Sequence, residues 1–259
     1  MQVGFKTDRG MRRHNNEDAS FILPSSKDYV IADGVGGGNA GEIASRTAVS
    51  QIAGYIDRNP MEPTEDKYKI ANYFQHCLDT VNGHIYQMAN KYDANRGMAT
   101  TIVIVYAEHG KAYITNVGDS RAYLYRDGQL MQLTDDHTYV NTLVKAGILT
   151  PEEAEFDERK NVITKALGAE PGVEPDFFQV DILEDDIILM CTDGLYDEVS
   201  EDEIIEVLDE SLTMSATCAE LVNRANMNGG HDNITVVSLR VMEEDIDGLK
   251  ITCRQIRTD

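Results

Sequence analysis

The sequence predicts an α+β fold in which antiparallel strands and helices form separate layers. Three observations support it. Short runs rich in Val, Ile and Tyr are separated by turn residues, two long stretches have helical periodicity, and the helices are grouped between runs of strands rather than alternating with them, as βαβ winding would require. The 259 residues, 42% of them hydrophobic, suffice for one large core.

Taken in order, residues 3–6, 19–23 and 29–32 are apolar and strand-like, and 40–56 and 65–92 carry helical patterns. In the first of these, Ile43, Thr47, Ala48, Ile52, Tyr55 and Ile56 fall three and four apart, which predicts a single buried face. Residues 101–107, 111–116, 121–126 and 129–133 are strand-like. Their separators, Glu108-His109-Gly110, Gly118-Asp119-Ser120 and Asp127-Gly128, predict an antiparallel meander. Residues 135–168 turn to short helical pieces at 140–147 and 151–158. Strands resume at 177–182 and 187–191, followed by helices at 201–211 and 215–228 and a strong strand at 234–241. One domain over 1–242 is expected, with 243–259 packed on it or extending it.

The chain carries 45 acidic against 23 basic residues, a formal charge of −22, which opposes binding to nucleic-acid phosphates and to anionic membranes. The cysteines, Cys77, Cys191, Cys218 and Cys253, form no CxxC or Cys/His pair, so neither a zinc site nor a disulfide framework is indicated and a reducing compartment fits best. No apolar leader opens the sequence and no run is long enough to span a bilayer. A cytoplasmic protein is expected.

Five acidic clusters carry the functional signal: Asn16-Glu17-Asp18, Asp33-Gly34, Gly118-Asp119-Ser120, Asp193-Gly194 and Asp232-Asn233. Several border apolar runs, so their carboxylates belong at strand ends. Taken singly, each is an ordinary turn or cap. Brought together, they would repel strongly unless multivalent cations lay between them, and an all-oxygen set suits Mg²⁺ or Mn²⁺ rather than zinc.

Two other motifs compete. Gly36-Gly37-Gly38-Asn39-Ala40-Gly41 matches the dinucleotide-binding spacing, but a second helix follows instead of a parallel strand, and Asp33 would oppose a pyrophosphate. Cys218 and Arg224 have the spacing of a thiolate phosphatase. The residues between them contain no glycine and continue a helix, whereas a phosphate cradle needs free loop amides.

In order along the chain, Asp8-Arg9-Gly10 through Arg13 to Asn16-Glu17-Asp18, Ala32-Asp33-Gly34-Val35-Gly36-Gly37, Gly97-Met98-Ala99-Thr100-Thr101, Asn116 to Ala122, Cys191-Thr192-Asp193-Gly194-Leu195 and Asp232-Asn233-Ile234-Thr235 resemble the metal-dependent protein serine/threonine phosphatases of type 2C, in their compact bacterial form. The resemblance implies two central antiparallel β-sheets flanked by α-helices, a four-layer αββα sandwich. It further implies hydrolysis of phosphoserine and phosphothreonine by a hydroxide bridging two Mn²⁺ or Mg²⁺ ions. Asp33 would bridge the ions, Asp193 and Asp232 would complete the first, and the Gly34 carbonyl would serve the second, with Glu17 and Asp18 acting through water. Asp119 would reach a third, weaker ion, and Arg13 would hold the phosphate. Ser120 and Thr192 are read as supporting or turn residues. Eukaryotic members carry a histidine where this chain has Val35, which leaves metal-bound water as the leaving-group acid, ahead of His137 and His14. Residues 135–168 correspond to the family's flap, where Lys145, Arg159, Lys160 and Lys165 are positive points whose default role is a solvated face. The implied partners are phosphorylated proteins, a Ser/Thr kinase among them, on which a monomeric cytoplasmic enzyme would act.

Overall fold

The structure, a computed structural model, describes residues 1–23, 27–37, 40–210 and 213–246. Gly38 and Asn39 of the glycine run, Ser211 of the expected helix, and residues 247–259 with Cys253 lie outside the described residues. The chain forms β1 (Gln2–Asp8), β2 (Asp18–Leu23), β3 (Asp28–Val35), α1 (Ala40–Arg58), α2 (Lys67–Lys91), a 3-10 turn (Asp93–Asn95), β4 (Ala99–Thr100), β5 (Ile102–Glu108), β6 (Lys111–Val117), β7 (Arg121–Arg126) and β8 (Gln129–Gln132). It continues through α3 (Tyr139–Lys145), α4 (Pro151–Glu155), β9 (Asp176–Asp181), β10 (Ile187–Cys191), α5 (Asp193–Tyr196), α6 (Glu201–Glu210), α7 (Met214–Asn228), β11 (Ile234–Arg240) and α8 (Glu243–Ile246).

Two antiparallel sheets result, one in the order β1-β11-β10-β7-β8 and the other β2-β3-β5-β6-β9, with β4 paired to β3. Three apolar layers bind four structural ones. Ile52, Phe74 and Leu78 of α1 and α2 pack on Val30 and Ile104 of the second sheet. Ile31, Val103, Ile188 and Val237 fill the space between the sheets. Leu189 and Val236 meet Ile204 and Leu221 of α6 and α7. Within β3, Val30 and Ala32 join one core while Tyr29 and Ile31 join the next. Because the central strands are buried on both faces, their sequences are continuous apolar runs rather than alternating ones.

Two expectations are corrected. Residues 101–133 do not form one meander: β5 and β6 pair in one sheet, β7 and β8 in the other, and Gly118-Asp119-Ser120 is the crossing between sheets rather than a hairpin turn. Gly118 makes the crossing at φ +107, where a Cβ would lie 2.6 Å from the Thr101 side chain. The buried face of α1 also differs. It runs through Gly41, Ala44, Ser45, Ala48, Val49, Ile52 and Ile56, while Ile43 is exposed. Small residues let the helix approach the sheet so closely that a Cβ on Gly34 would lie 2.1 Å from the Gly41 carbonyl oxygen, and this close seam outweighs the larger side chains in setting the helix rotation.

The short α8 returns to the sandwich, with Ile246 against the inter-sheet core and Asp245 Oδ2 2.7 Å from the Met1 amine. No helix of the described residues is long and apolar enough to cross a membrane.

The spacing between β1 and α7 is set by Gly4, where an added Cβ would stand 2.0 Å from the backbone oxygen of Met214. Gly4→Ala is expected to lower unfolding free energy by about 1–3 kcal/mol, read from the urea midpoint at unchanged slope.

Candidate metal centre

The register of the two sheets brings the acidic clusters to one end of the sandwich. In the second sheet Asp18 opens β2 directly opposite Asp33 near the end of β3, and Asp33 accepts the Thr101 N–H just ahead of β5 at 2.8 Å. In the first sheet Asp193 follows the end of β10 and Asp232 precedes the start of β11, its antiparallel neighbour. Asp119 lies in the crossing from β6 to β7 at the same end. Like charges directly opposite on paired strands are unfavourable by themselves. Here the backbone fixes them so.

Neutral donors and backbone groups hold this arrangement. The Thr192 hydroxyl donates to Asp18 Oδ2 at 3.0 Å and accepts the Thr235 N–H at 3.0 Å, linking the two sheets under the carboxylates. Thr101 Oγ1 accepts the Asp33 N–H at 3.0 Å and lies 2.7 Å from Ser120 Oγ. Tyr196 comes one helical turn after Asp193 and donates to the Asp119 carbonyl at 3.0 Å, while its ring stacks on the Arg121 guanidinium, 3.6 Å from the centroid. Ser120 and Thr192 are thus engaged in hydrogen bonds behind the aspartates.

The electrostatics are those of an unneutralised cluster. Burial, followed by the charges of Asp18, Asp193, Asp119 and Asp232, holds Asp33 well above the usual carboxylate range. Burial with the nearby Asp193 and Asp232 pushes Asp18 up to about 7, although hydroxyls of Thr235 and Thr192 oppose it. Burial and Asp193 push Asp119 up to about 7, and burial and Asp232 push Asp193 up to about 6. Asp33 alone feels all four of the other aspartates.

Among the described residues no three His, Cys, Asp or Glu side chains already converge as a closed ion cage. The donors nevertheless suit a hard cation. Asp18 Oδ1 and Asp193 Oδ1 are buried with no hydrogen-bond partner, a costly state for carboxylate oxygens unless a cation satisfies them. Glu17 Oε2 and the Gly34 carbonyl oxygen converge on one point, since a Cβ on Gly41 would lie 2.5 Å from each. With carboxylate and carbonyl oxygens alone, this set fits Mg²⁺ or Mn²⁺.

Arg13 stands at the rim. Its guanidinium is half exposed and pairs with Asp232 Oδ2 at 2.5 Å. It rides on the loop of residues 9–17, whose turn at Gly10 (φ +76) passes so close to Asp232 that a Cβ there would be 2.0 Å from the Asp232 carbonyl oxygen. Asn233 joins the same loop through its amide. Nothing in an Asp-Asn pair of the sequence announces this role for Asn233. For Tyr196 the spacing of three from Asp193 on a helix is a readable signal.

The remaining sequence-derived groups lie elsewhere or are otherwise engaged. Cys218 is buried in α7, 3.1 Å from Ser238 Oγ, and burial pushes its thiol up to about 11, while Arg224 pairs with Glu206 and Glu220. That is no thiolate nucleophile. His137 Nδ1 accepts the Gly118 N–H at 2.9 Å, its Nε2 lies 3.3 Å from Asp176, and burial holds its pKa below the usual histidine value. It braces the sheet crossing as a neutral ring, and His14 is exposed. The four flap cations are all paired within the chain: Lys145 with Asp135, Arg159 with Asp157, Lys160 with Asp197 and Lys165 with Asp176.

Known proteins share both sequence and shape. The family signature described as protein phosphatase 2C matches residues 11–229. The protein phosphatase PhpP of Streptococcus pneumoniae is 36% identical over 251 residues, covering 95% of this chain and 100% of that protein. Among solved structures, a serine/threonine phosphatase of S. agalactiae superimposes with a TM-score of 0.87 at 35% identity, covering 93% of this chain and 99% of that one. The catalytic domain of the phosphatase PstP, solved in complex with two manganese ions, has a TM-score of 0.81 at 33% identity over 93% of this chain and 98% of its own. With this sandwich, this end-on aspartate cluster and these relatives, the chain belongs to the protein phosphatase 2C family.

Proposed function

We propose that this chain is a Mn²⁺- or Mg²⁺-dependent phosphatase that removes phosphate from serine and threonine in phosphorylated proteins. The observation that carries the proposal is that the two sheets bring Asp18, Asp33, Asp119, Asp193 and Asp232 to one end of the sandwich, two of them with a buried oxygen that has no hydrogen-bond partner, beside a half-exposed arginine. A carboxylate cluster alone would repel a phosphate monoester; one that holds divalent ions attracts it.

Asp33, Asp193 and Asp232 would hold the core ions together with the Gly34 carbonyl, Glu17 and Asp18, and Asp119 would serve a third. Such ions supply a nucleophilic water of lowered pKa and draw charge from the phosphoryl oxygens. The chain's own residues do the rest. Arg13 offers a planar fork of donors suited to two phosphate oxygens, and once the charge of Asp232 is committed elsewhere its guanidinium can turn from that carboxylate to the substrate. Asp193 is held at the start of α5 and Asp33 by Thr101, so neither has to reorganise as charge develops. No side chain here has the character of a covalent nucleophile, since Ser120 is engaged by Thr101 and the buried cysteines carry raised pKa values.

Residues 1–242 act as one catalytic unit, because each sheet supplies ligands the other lacks. The relatives are bacterial phosphatases, and we place this chain in the cytoplasm opposite a Ser/Thr protein kinase, with its phosphorylated targets as substrates. The buried free thiols of Cys77, Cys191 and Cys218 fit a reducing compartment.

A phosphothreonine peptide assay in Mn²⁺ checks this directly. Chelation should abolish turnover and Mn²⁺ restore it, and Asp33→Asn should lower kcat by at least about 100-fold, the upper end of what losing even an outer-shell partner of a metal costs. Turnover that survives thorough chelation would refute the proposal.

The raised carboxylates also fix a sign for stability. A carboxylate whose pKa is higher folded than unfolded binds more protons in the native state, so its contribution is greatest below its unfolded value near 3.8 and declines as pH rises through about 6 to 7. Metal-free protein is therefore expected to lose melting temperature between pH 5 and pH 8. Mn²⁺ should raise the melting temperature more at pH 8 than at pH 5, which a thermal-shift series at both values measures.

A further inference from the structure

The loop of residues 9–17 carries Arg13 and Glu17 yet contains neither helix nor strand. Its position has to come from outside itself. One side chain, Asn233, makes three of its outside bonds, more than any other residue. Asn233 is 4% exposed and follows Asp232 at the start of β11. Its Oδ1 accepts the Glu17 N–H at 2.7 Å, and its Nδ2 donates to the carbonyl oxygens of Arg9 and Asn15, both at 2.9 Å. A single amide thus ties the two ends of the loop to each other and to the strand. The apex is held from the same turn, where the Gly230 carbonyl accepts the N–H groups of Met11 and Arg12 at 2.8 and 3.1 Å.

The chemistry of the clasp is specific. It requires one acceptor and two donors on a short side chain, which asparagine has and aspartate lacks. None of the three bonds goes to the core or to a neighbouring strand. All go to the segment that presents Arg13 and Glu17. Asp232 and Asn233 thereby divide two tasks, the first paired with the Arg13 guanidinium and the second holding the backbone that carries it.

We propose that Asn233 is a positioning residue for phosphate capture, closing the 9–17 loop so that the Arg13 guanidinium meets the substrate phosphate in a fixed place. This rests on the phosphatase function proposed above. Without the clasp, part of the phosphate-binding energy would be spent on ordering the loop, so the loss falls on substrate and phosphate affinity more than on turnover.

The test uses the full chain loaded with Mn²⁺ and compares Asn233→Asp, Asn233→Ala, Arg13→Ala and the double variant Arg13→Ala/Asn233→Ala. Three readouts are taken: KM and kcat on a phosphothreonine peptide, the inhibition constant of inorganic phosphate, and amide hydrogen exchange. Each Asn233 variant should raise KM and the phosphate inhibition constant about tenfold or more, the size expected when Asp removes two hydrogen bonds and Ala all three, with a smaller change in kcat. Adding Asn233→Ala to Arg13→Ala should cost little more, because both act through one guanidinium. Exchange at the amides of residues 11, 12 and 17 should quicken while the strands keep their protection. Additive losses, a fall in kcat at unchanged KM, or unaltered exchange across 9–17 would overturn the assignment. A wild-type chain inactive on every phosphopeptide would instead count against the phosphatase reading, and the exchange arm would still decide whether Asn233 clasps the loop.

Discussion

Repulsion among carboxylates that the backbone will not let separate is the constraint on which this molecule turns. Asp18 faces Asp33 across one sheet, Asp193 and Asp232 lie just beyond the ends of adjacent strands of the other, and Asp119 occupies a crossing between them. Side chains alone could swing apart; strand ends in fixed register cannot. The apolar layers on both faces of each sheet set that register, and a slip of one residue would turn a strand's buried side chains to the wrong face. The site is thus specified by the core, and the core stabilises a cluster that is itself unfavourable until a cation enters.

Rigid and adaptable parts divide the work. Aspartates on strand ends, braced by the Thr192 and Thr101 hydroxyls, suit ions that demand a near-octahedral shell. The arginine sits on irregular backbone, half in solvent and paired with Asp232, where the proposed function has it exchange that carboxylate for a phosphate. The same turn, residues 230–233, serves both through the Gly230 carbonyl, the Asp232 carboxylate and the Asn233 amide. The flap contributes differently. Its cations are paired with carboxylates of the flap and of the segments beside it, and its root braces Gly118 through His137 and grips Arg121 through Asp136, on either side of Asp119.

Much of this is legible in the sequence. Central strands buried on both faces leave continuous apolar runs, and carboxylates at their ends stand out against them, so the layered class and the aspartate set could both be read. What the sequence concealed has physical causes. Gly118-Asp119-Ser120 is composed like a hairpin turn, and only pairing partners far along the chain decide that it crosses between sheets. The seat of α1 depends on small residues that permit close approach, so weighting by hydrophobic size placed Ile43 on the buried face. Asn233 acts through hydrogen bonds to residues more than two hundred positions away, for which no local pattern exists.

The central claim, that this end of the sandwich is built to hold divalent ions between the two sheets, is tested most directly by crystals grown with Mn²⁺ and measured for anomalous scattering. The account predicts peaks at the Asp33 carboxylate, one on the side of Asp193 and Asp232 and one toward Gly34 and Glu17, with loss of both in Asp33→Asn. Manganese bound only elsewhere, or an empty aspartate cluster at saturating Mn²⁺, would contradict it.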